Sequence, residues 1–213
     1  MNKRIVAAAA AAAALLAGPA FAQKVDATEV DPRRMTQQLE EPTNFDVAAQ
    51  AGVGTFVGGG ALSDDTGVGP VWGVKVAGPL ARAFGWEIGY EGSRNPVVDD
   101  TGGDSTGLWR HGLSGMAKVY APMSDDNAFR PFAGAGIGGS YVNPGNAAED
   151  QFQSDFVAEI PVGVGVEFAS EGGFTAGLRG TYRFLMGQDI AEPSGDTGGG
   201  ALLGGSLTVG GEF

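Results

Sequence analysis

Cysteine, histidine, long apolar runs and basic residues are all scarce in this sequence. The chain has no cysteine and one histidine, His111. A disulfide framework is therefore excluded, and the lack of cysteine agrees with an oxidising compartment without demonstrating one. Beyond the first residues, no segment reaches the roughly 18 unbroken apolar residues of a spanning helix. The 13 Lys and Arg stand against 25 Asp and Glu, a net charge of −12, which argues against a nucleic-acid partner.

Glycine is the abundant residue, with 38 copies among 213 residues. Such a load is typical of disorder, of repeats, or of a fold with many turns and close backbone contacts. Hydrophobic residues make up 43% of the chain, and aromatic residues recur through the apolar segments, which a disordered chain would not need. The composition therefore favours an ordered fold in which backbones approach each other closely.

The N-terminal segment has the pattern of an export signal. Two bases, Lys3 and Arg4, precede thirteen apolar residues, and the small-x-small sequence Ala20-Phe21-Ala22 follows. This pattern predicts a secretory signal peptide over residues 1–22, cleaved between Ala22 and Gln23. We therefore expect the mature chain to begin at Gln23 on the far side of a membrane.

Two regions follow the signal. Residues 23–44 are polar and are expected to form a flexible periplasmic leader. From Phe45 the hydrophobic pattern has a period of two, broken at intervals by turn residues, and each segment is long enough to cross a bilayer as a tilted strand. We expect eight strands, at about residues 45–57, 68–77, 84–92, 107–120, 130–142, 156–168, 174–185 and 200–213. Longer connections follow the odd-numbered strands and shorter ones the even-numbered strands. The sequence thus predicts an all-β domain over residues 45–213, an eight-stranded antiparallel up-and-down transmembrane β-barrel.

Sorting the residues of each strand by parity separates an apolar face from a polar one. The apolar face carries aliphatic and aromatic residues and no charge, and the polar face carries glycine and charge. Six acids and six bases are assigned to the polar face, as expected of a closed interior in which buried charges must be paired. These twelve residues are predicted to form an interior charge network: Asp46, Lys75, Glu87, Glu91, Arg110, Lys118, Arg130, Glu159, Glu167, Arg179, Arg183 and Glu212.

Parity alone does not decide which face is outside, because a soluble lipocalin-like barrel would show the same alternation. Two further features favour the membrane barrel. Glycines crowd the polar face, where eight strands must close around long side chains. Aromatic residues of the apolar face cluster near both ends of the strands, as in the two interfacial belts of a membrane barrel.

Three segments resemble a known family. The terminal strand ending on Phe213, the glycine-rich segment 130–141 and the alternating segment 161–168 resemble the bacterial outer-membrane β-barrel domain family of OmpA-like and OmpX-like barrels. The resemblance implies a porin-like domain in the cell outer membrane of a diderm bacterium, surrounded by outer-membrane lipid and lipopolysaccharide. It also implies insertion by the barrel-assembly machinery, with Phe213 as the assembly signal.

No residue pattern predicts a cofactor, a metal centre or a catalytic group. His111 and Ser114 are three residues apart on one strand and therefore face opposite ways, which denies them a nucleophile–base contact. The glycines of segment 134–139 lie within a strand and lack the features of a phosphate loop. Clustered acids of the long loops could share divalent cations, although mutual repulsion between solvated loops explains them more simply: Asp64, Asp65, Asp99, Asp100, Asp104, Glu149, Asp150, Asp155, Asp189, Glu192 and Asp196.

The expected function is a structural or interaction role without enzyme activity. In this hypothesis the charge network closes the lumen, and the acidic extracellular loops form the contact surface. The alternative is a small channel or a conduit for apolar compounds, and the third hypothesis is a lipid-modifying enzyme. The ligand of the loops, the oligomeric state and the role of residues 23–44 do not follow from the sequence.

Overall fold

The structure is a computed structural model that describes residues 44–58, 61–81, 83–97, 107–121, 128–145, 154–186 and 200–213. The predicted signal peptide and leader, and the cleavage site between Ala22 and Gln23, lie outside the described residues. The unit considered below is Phe45–Phe213. Among the described residues, no helix is long and apolar enough to cross a membrane.

Eight antiparallel strands form a closed barrel in which each strand pairs with its neighbours in sequence and β1 pairs with β8. The prediction of an eight-stranded up-and-down barrel is confirmed. A short helix, α1, Ala61–Asp64, follows the first strand. The strands are β1 Asp46–Val57, β2 Gly69–Ala81, β3 Phe84–Pro96, β4 Gly107–Tyr120, β5 Phe129–Pro144, β6 Asp155–Ala169, β7 Phe174–Met186 and β8 Ala201–Glu212.

The outer surface of the barrel is apolar because alternate residues of every strand point away from the lumen. Leu178 and Leu207, near the middle of β7 and β8, are 61% and 62% exposed, and Ile137 on β5 is 76% exposed. Because the barrel is closed, both edges of every strand are hydrogen-bonded to a neighbouring strand. A bilayer requires this, since its core offers backbone groups no other hydrogen-bond partners. This outer belt is the surface that meets lipid.

Two glycines illustrate why the inner face is poor in side chains. A Cβ atom at Gly136 would lie 1.9 Å from the carbonyl oxygen of Gly115, and one at Gly52 would lie 2.0 Å from that of Gly205. No larger residue fits at either point unless the neighbouring strand moves. The glycine load of the sequence therefore reflects strands that approach closely around a narrow lumen.

An apolar cap fills the long-loop end of the lumen, where the sequence predicted glycine and charge. Inward-facing residues at the upper ends of the strands contact Leu62, which α1 places over the opening. These residues have the same parity as the charged residues and face the lumen as predicted. Their side chains, however, are apolar where glycine and charge were expected. The cap consists of Phe56, Leu62, Val97, Leu108, Val142, Val157, Leu185 and Leu202.

Candidate functional site

The charged residues of the lumen form two layers below the apolar cap. The upper cluster, Glu91, Arg110, Glu159 and Arg183, contains two acids and two bases. Arg110 binds Glu159 through Nε at 2.7 Å and Nη2 at 2.6 Å, and it binds Glu91 through Nη1 at 3.1 Å. Arg183 contacts the same two acids, at 2.9 Å from Glu91 and 3.3 Å from Glu159. The upper cluster is therefore neutral, and each of its two bases contacts both of its acids.

The lower cluster, Lys75, Glu87, Lys118, Glu167 and Arg179, lies nearer the short-turn end. Arg179 makes a bidentate contact with Glu87 at 2.6 and 2.8 Å. Lys118 lies 2.9 Å from Glu167 and 3.3 Å from Glu87, and Lys75 contacts the same two acids. Three bases face two acids, so this layer carries one formal positive charge.

Three of the twelve predicted network residues lie outside these clusters. Asp46 is half-buried and accepts a hydrogen bond from Thr175 Oγ1. Arg130 and Glu212 are exposed at the short-turn rim and take no part in the ion pairs between described residues, although Arg130 lies over the Tyr120 ring at 4.4 Å. The structure thus brings nine of the twelve together and leaves the outermost three at the rim, where water reaches their side chains.

Phe213, the predicted assembly signal, lies on the outer face beside the first strand. Its ring stacks on Phe45 with 5.9 Å between centroids, and the two residues exchange backbone hydrogen bonds. The residue therefore helps to close the barrel between β8 and the start of β1. Its role in assembly stays a prediction.

Polar groups on the outer face gather in one sector, at the long-loop ends of β3, β4 and β5. We call this the rim site and define it as Tyr90, Arg94, Trp109, His111 and Tyr141. All five side chains are exposed. Arg94 is the only charged residue with outward parity in the described strands. The sequence missed it because β3 extends to Pro96, four residues beyond its predicted end, so the expectation of an apolar face without charge is wrong at this position.

The centre of the rim site is a histidine–tyrosine pair. His111 Nδ1 and Tyr90 Oη are 2.6 Å apart, and the two rings stack with 6.2 Å between centroids. The residues are diagonal neighbours, since Gly92 of β3 is the register partner of His111 and Tyr90 lies two residues away. His111 Nε2 has no hydrogen-bond partner among the described residues and faces the outer surface.

Aromatic rings surround this pair and extend towards the rim. The Arg94 guanidinium carbon lies 5.5 Å from the centroid of the Trp109 ring, and Trp109 packs edge-on against Trp72 at 6.0 Å. Tyr141 is the register partner of His111 on β5. A cation, two potential proton carriers and several aromatic rings therefore share one patch on the outer face of the barrel.

Ser114 does not join this site. Its hydroxyl lies inside the barrel, 3.4 Å from Arg183 Nη1, whereas His111 is exposed on the outside, so the opposite orientation expected for the two residues holds. Among the described residues, no group of three or more His, Asp or Glu side chains could hold a metal ion. Most acids of the long loops lie outside those residues, so cation binding there stays a prediction.

The family of the chain follows from a comparison with known protein families. Residues 66–182, more than half of the chain, match the family model described as lipid A 3-O-deacylase (PagL). The chain belongs to the PagL family. The matched segment contains β2 to β6 and most of β7, and with them all five residues of the rim site.

Solved structures show the same fold at low sequence identity. Neisserial surface protein A is 13% identical, with a TM-score of 0.58, and the match covers 79% of this chain and 97% of that one. Ail, the attachment invasion locus protein of Yersinia pestis, solved with the heparin analogue sucrose octasulfate, is 10% identical with a TM-score of 0.54, covering 81% and 100%. The outer membrane enzyme PagL is 15% identical with a TM-score of 0.42, covering 78% and 97%. No curated protein matches the chain.

Family membership confirms two predictions and overturns a third. The kinship with small outer-membrane barrels and the location in a bacterial outer membrane are both confirmed. The expectation that the protein is not an enzyme is wrong, because its family is one of lipid A deacylases. The sequence of β4 gives no sign of an enzyme because His111 has its contact with Tyr90 on the neighbouring strand, whereas Ser114 contacts Arg183 inside the barrel.

Proposed function

We propose that this protein is an outer-leaflet lipid hydrolase that removes an ester-linked acyl chain from lipid A, with the rim site as its active site. The observation that carries the proposal is the match of residues 66–182 to the lipid A 3-O-deacylase family. The location of the rim site on the outer surface of the barrel supports the assignment, since an acylated lipid of the outer leaflet reaches such a site by lateral diffusion. The lumen, filled by the apolar cap and two ion clusters, takes no part in substrate entry.

In the proposed mechanism, His111 is the general base and water is the nucleophile. With Nδ1 donating its hydrogen to Tyr90 Oη, Nε2 carries a lone pair and accepts a proton from a water molecule. The water oxygen attacks the ester carbonyl carbon and forms a tetrahedral oxyanion, to which the neighbouring Tyr141 hydroxyl can donate a hydrogen bond. Collapse breaks the bond between the carbonyl carbon and the sugar oxygen, and Nε2 returns the proton to that oxygen. The products are a fatty acid and a free sugar hydroxyl.

Tyr90 acts through His111. Its hydroxyl fixes the tautomer and orientation of the imidazole and stabilises the imidazolium that forms during attack, as an acceptor partner does in other histidine-dependent hydrolases. The 6.2 Å ring stacking limits rotation of the imidazole. Loss of the Tyr90 hydroxyl should therefore slow the reaction less than loss of His111.

The test is hydrolysis of lipid A by the purified protein folded into vesicles that contain lipopolysaccharide, followed by mass spectrometry of the extracted lipid. The wild type should release one acyl chain, and His111→Gln should lower the rate by about 10²–10⁴-fold. Tyr182→Phe is the matched control, because Tyr182 faces outward on β7, away from the rim site. No release of fatty acid by the folded wild type would overturn the function, and full activity of His111→Gln would overturn the site.

A structural contribution of the same barrel is the second candidate role. It is favoured by the lumen, in which the described residues place nine clustered charged side chains and an apolar cap of eight side chains. A filled lumen is consistent with a rigid barrel that stabilises the membrane and presents its acidic loops. It also argues against an open channel. A deletion strain complemented with His111→Gln separates this role from hydrolysis: a structural role predicts that the variant restores the permeability barrier as well as the wild type does.

A further inference from the structure

We infer that Trp72 donates its indole N–H to the carbonyl oxygen of the ester presented to His111, so that this half-buried tryptophan of β2 belongs to the active site. The inference rests on the proposed function, because it assigns a further hydrogen-bond donor to the same reaction. Two observations carry it. The indole lies beside His111, and in the part of the chain that the structure describes its Nε1 has no hydrogen-bond partner.

The register of three strands places the indole beside the imidazole. Gly92 of β3 is the register partner both of Trp72 on β2 and of His111 on β4. Gly92 has outward parity and is nevertheless buried, because the indole covers it. A Cβ atom at Gly92 would lie 2.7 Å from Trp72 Nε1. Directly paired Cβ atoms of neighbouring strands are about 4.5–5.5 Å apart, so Trp72 Nε1 lies within about 8 Å of His111 Cβ.

This spacing suits an ester that is attacked by water at His111. The water that gives its proton to His111 Nε2 lies about 3 Å from that atom, and a carbonyl carbon in position for attack lies about 3 Å further away. The carbonyl oxygen is therefore several ångströms from the imidazole, within the range of Trp72 Nε1. Because this oxygen becomes an anion during attack, the hydrogen bond strengthens in the transition state and should raise kcat more than it lowers KM.

Trp86 provides a matched control within the same barrel. Its indole is also half-buried on the outer face and also lies over a glycine of the neighbouring strand, since a Cβ atom at Gly78 would lie 2.9 Å from Trp86 Nε1. This pair lies at the short-turn end, whereas the single histidine of the chain, His111, lies at the long-loop end. Trp86 therefore reports what an interfacial tryptophan does away from the rim site.

The first experiment records the indole N–H signals by NMR for the folded protein in detergent micelles. The His111→Gln variant is used, which should leave the ester intact. It is titrated with lipid A that carries a 3-O-acyl ester and with the analogue in which a 3-O-alkyl ether replaces that ester. The Trp72 signal should shift further downfield with the ester than with the ether, and the Trp86 signal should respond equally to both. Equal responses at Trp72 would overturn the inference, because the two lipids differ only in that carbonyl group.

The second experiment measures kcat and KM for hydrolysis of lipid A in vesicles. Trp72→Phe keeps an aromatic ring but removes the N–H group, and it should lower kcat by about 10²–10³-fold with little change in KM. Gly92→Ala keeps the indole but displaces it, so it should lower kcat as well. Trp86→Phe is the matched control for the first variant. Gly115→Ala is the control for the second, because its Cβ atom would lie 3.9 Å from the nearest atom.

The results separate the inference from the proposed function. An ester-specific shift of the Trp72 signal without hydrolysis by the wild type would leave the contact standing and refute the enzyme. Hydrolysis by Trp72→Phe at the wild-type rate would leave the enzyme standing and overturn the inference. Equal losses of kcat in Trp72→Phe and Trp86→Phe would also overturn it, since the effect would then be common to interfacial tryptophans.

Discussion

Neutralising Glu159 should destabilise the barrel more than any surface change, because the carboxylate is the centre of the upper cluster. Its side chain is 0% exposed. It accepts hydrogen bonds from Arg110 Nε and Nη2, from Ser140 Oγ at 2.6 Å, and from Arg183 Nη1 at 3.3 Å. Glu159→Gln preserves the shape of the side chain but leaves two guanidinium groups with one acid, Glu91. An uncompensated charge at so fully buried a position costs about 3–5 kcal/mol.

A second substitution should restore part of that loss. Arg110→Gln alone leaves two acids with Arg183 and is expected to cost a similar amount. The double variant Glu159→Gln/Arg110→Gln leaves Glu91 and Arg183 as a neutral pair, 2.9 Å apart in the wild-type barrel. It should therefore be more stable than either single variant, which is the strong non-additivity expected of residues in one buried network.

The free energy of unfolding is measured by reversible urea titration of the protein in lipid vesicles, with tryptophan fluorescence as the probe. Glu212→Gln is the control, because Glu212 is exposed at the rim and its substitution should fall within about 0.5 kcal/mol of the wild type. The reasoning fails if Glu159→Gln costs no more than the control, or if the cost of the double variant equals the sum of the two singles. Either result would mean that the charges act independently in a hydrated lumen.

Three further predictions concern the lipid face, strand packing and the lumen. Leu207→Arg on the outer face should cost about 2–4 kcal/mol in the same assay, whereas Glu171→Arg in the exposed turn between β6 and β7 should be nearly neutral; equal costs would refute the assignment of the faces. Gly136→Val should destabilise by about 1–3 kcal/mol or more because its Cβ meets a neighbouring carbonyl. Gly180→Val, whose Cβ would lie 4.0 Å from the nearest oxygen, should be tolerated, so a similar loss at both positions would contradict the packing argument. Planar-bilayer recordings of the purified wild type should show no large, stable conductance steps, and such steps would reinstate the transport hypothesis.

The barrel could be predicted from the sequence because the alternation of outward apolar and inward polar residues can be recognised in each strand separately. In β3, the outward residues Trp86 and Ile88 alternate with the inward Glu87 and Glu91, and the structure keeps this parity through the whole strand. Eight such segments with alternating connection lengths leave few other topologies for the chain. The assignment of nine charged residues to the clusters of the lumen follows from the same parity, without knowledge of register.

The apolar cap could not be recognised in the same way. Leu108 and Leu202 share parity with the charged residues, but an apolar residue at a strand end gives no signal of whether it lies under a loop or faces water. Their burial depends on α1, whose Leu62 covers the lumen, and the four residues of that helix are too few for a periodic pattern. The burial of the apolar residues at this end of the lumen therefore depends on loop structure, which the strand pattern does not predict.

The rim site could not be recognised from the sequence because a candidate site on the lipid face and an interfacial aromatic belt have the same composition. Tyr90, Trp109 and Tyr141 all lie on the outer face at the long-loop end, where tyrosine and tryptophan are expected in any membrane barrel. Parity gives the face of a residue but not its neighbour on the next strand, and the contact between Tyr90 and His111 exists only in the register in which Gly92 opposes His111. A shift of two residues would preserve every face and separate the pair. In a barrel of this kind, the register between strands thus decides which side chains contact each other on the outer surface. A lone histidine with outward parity becomes a catalytic candidate only when its diagonal neighbours on the adjacent strands are known.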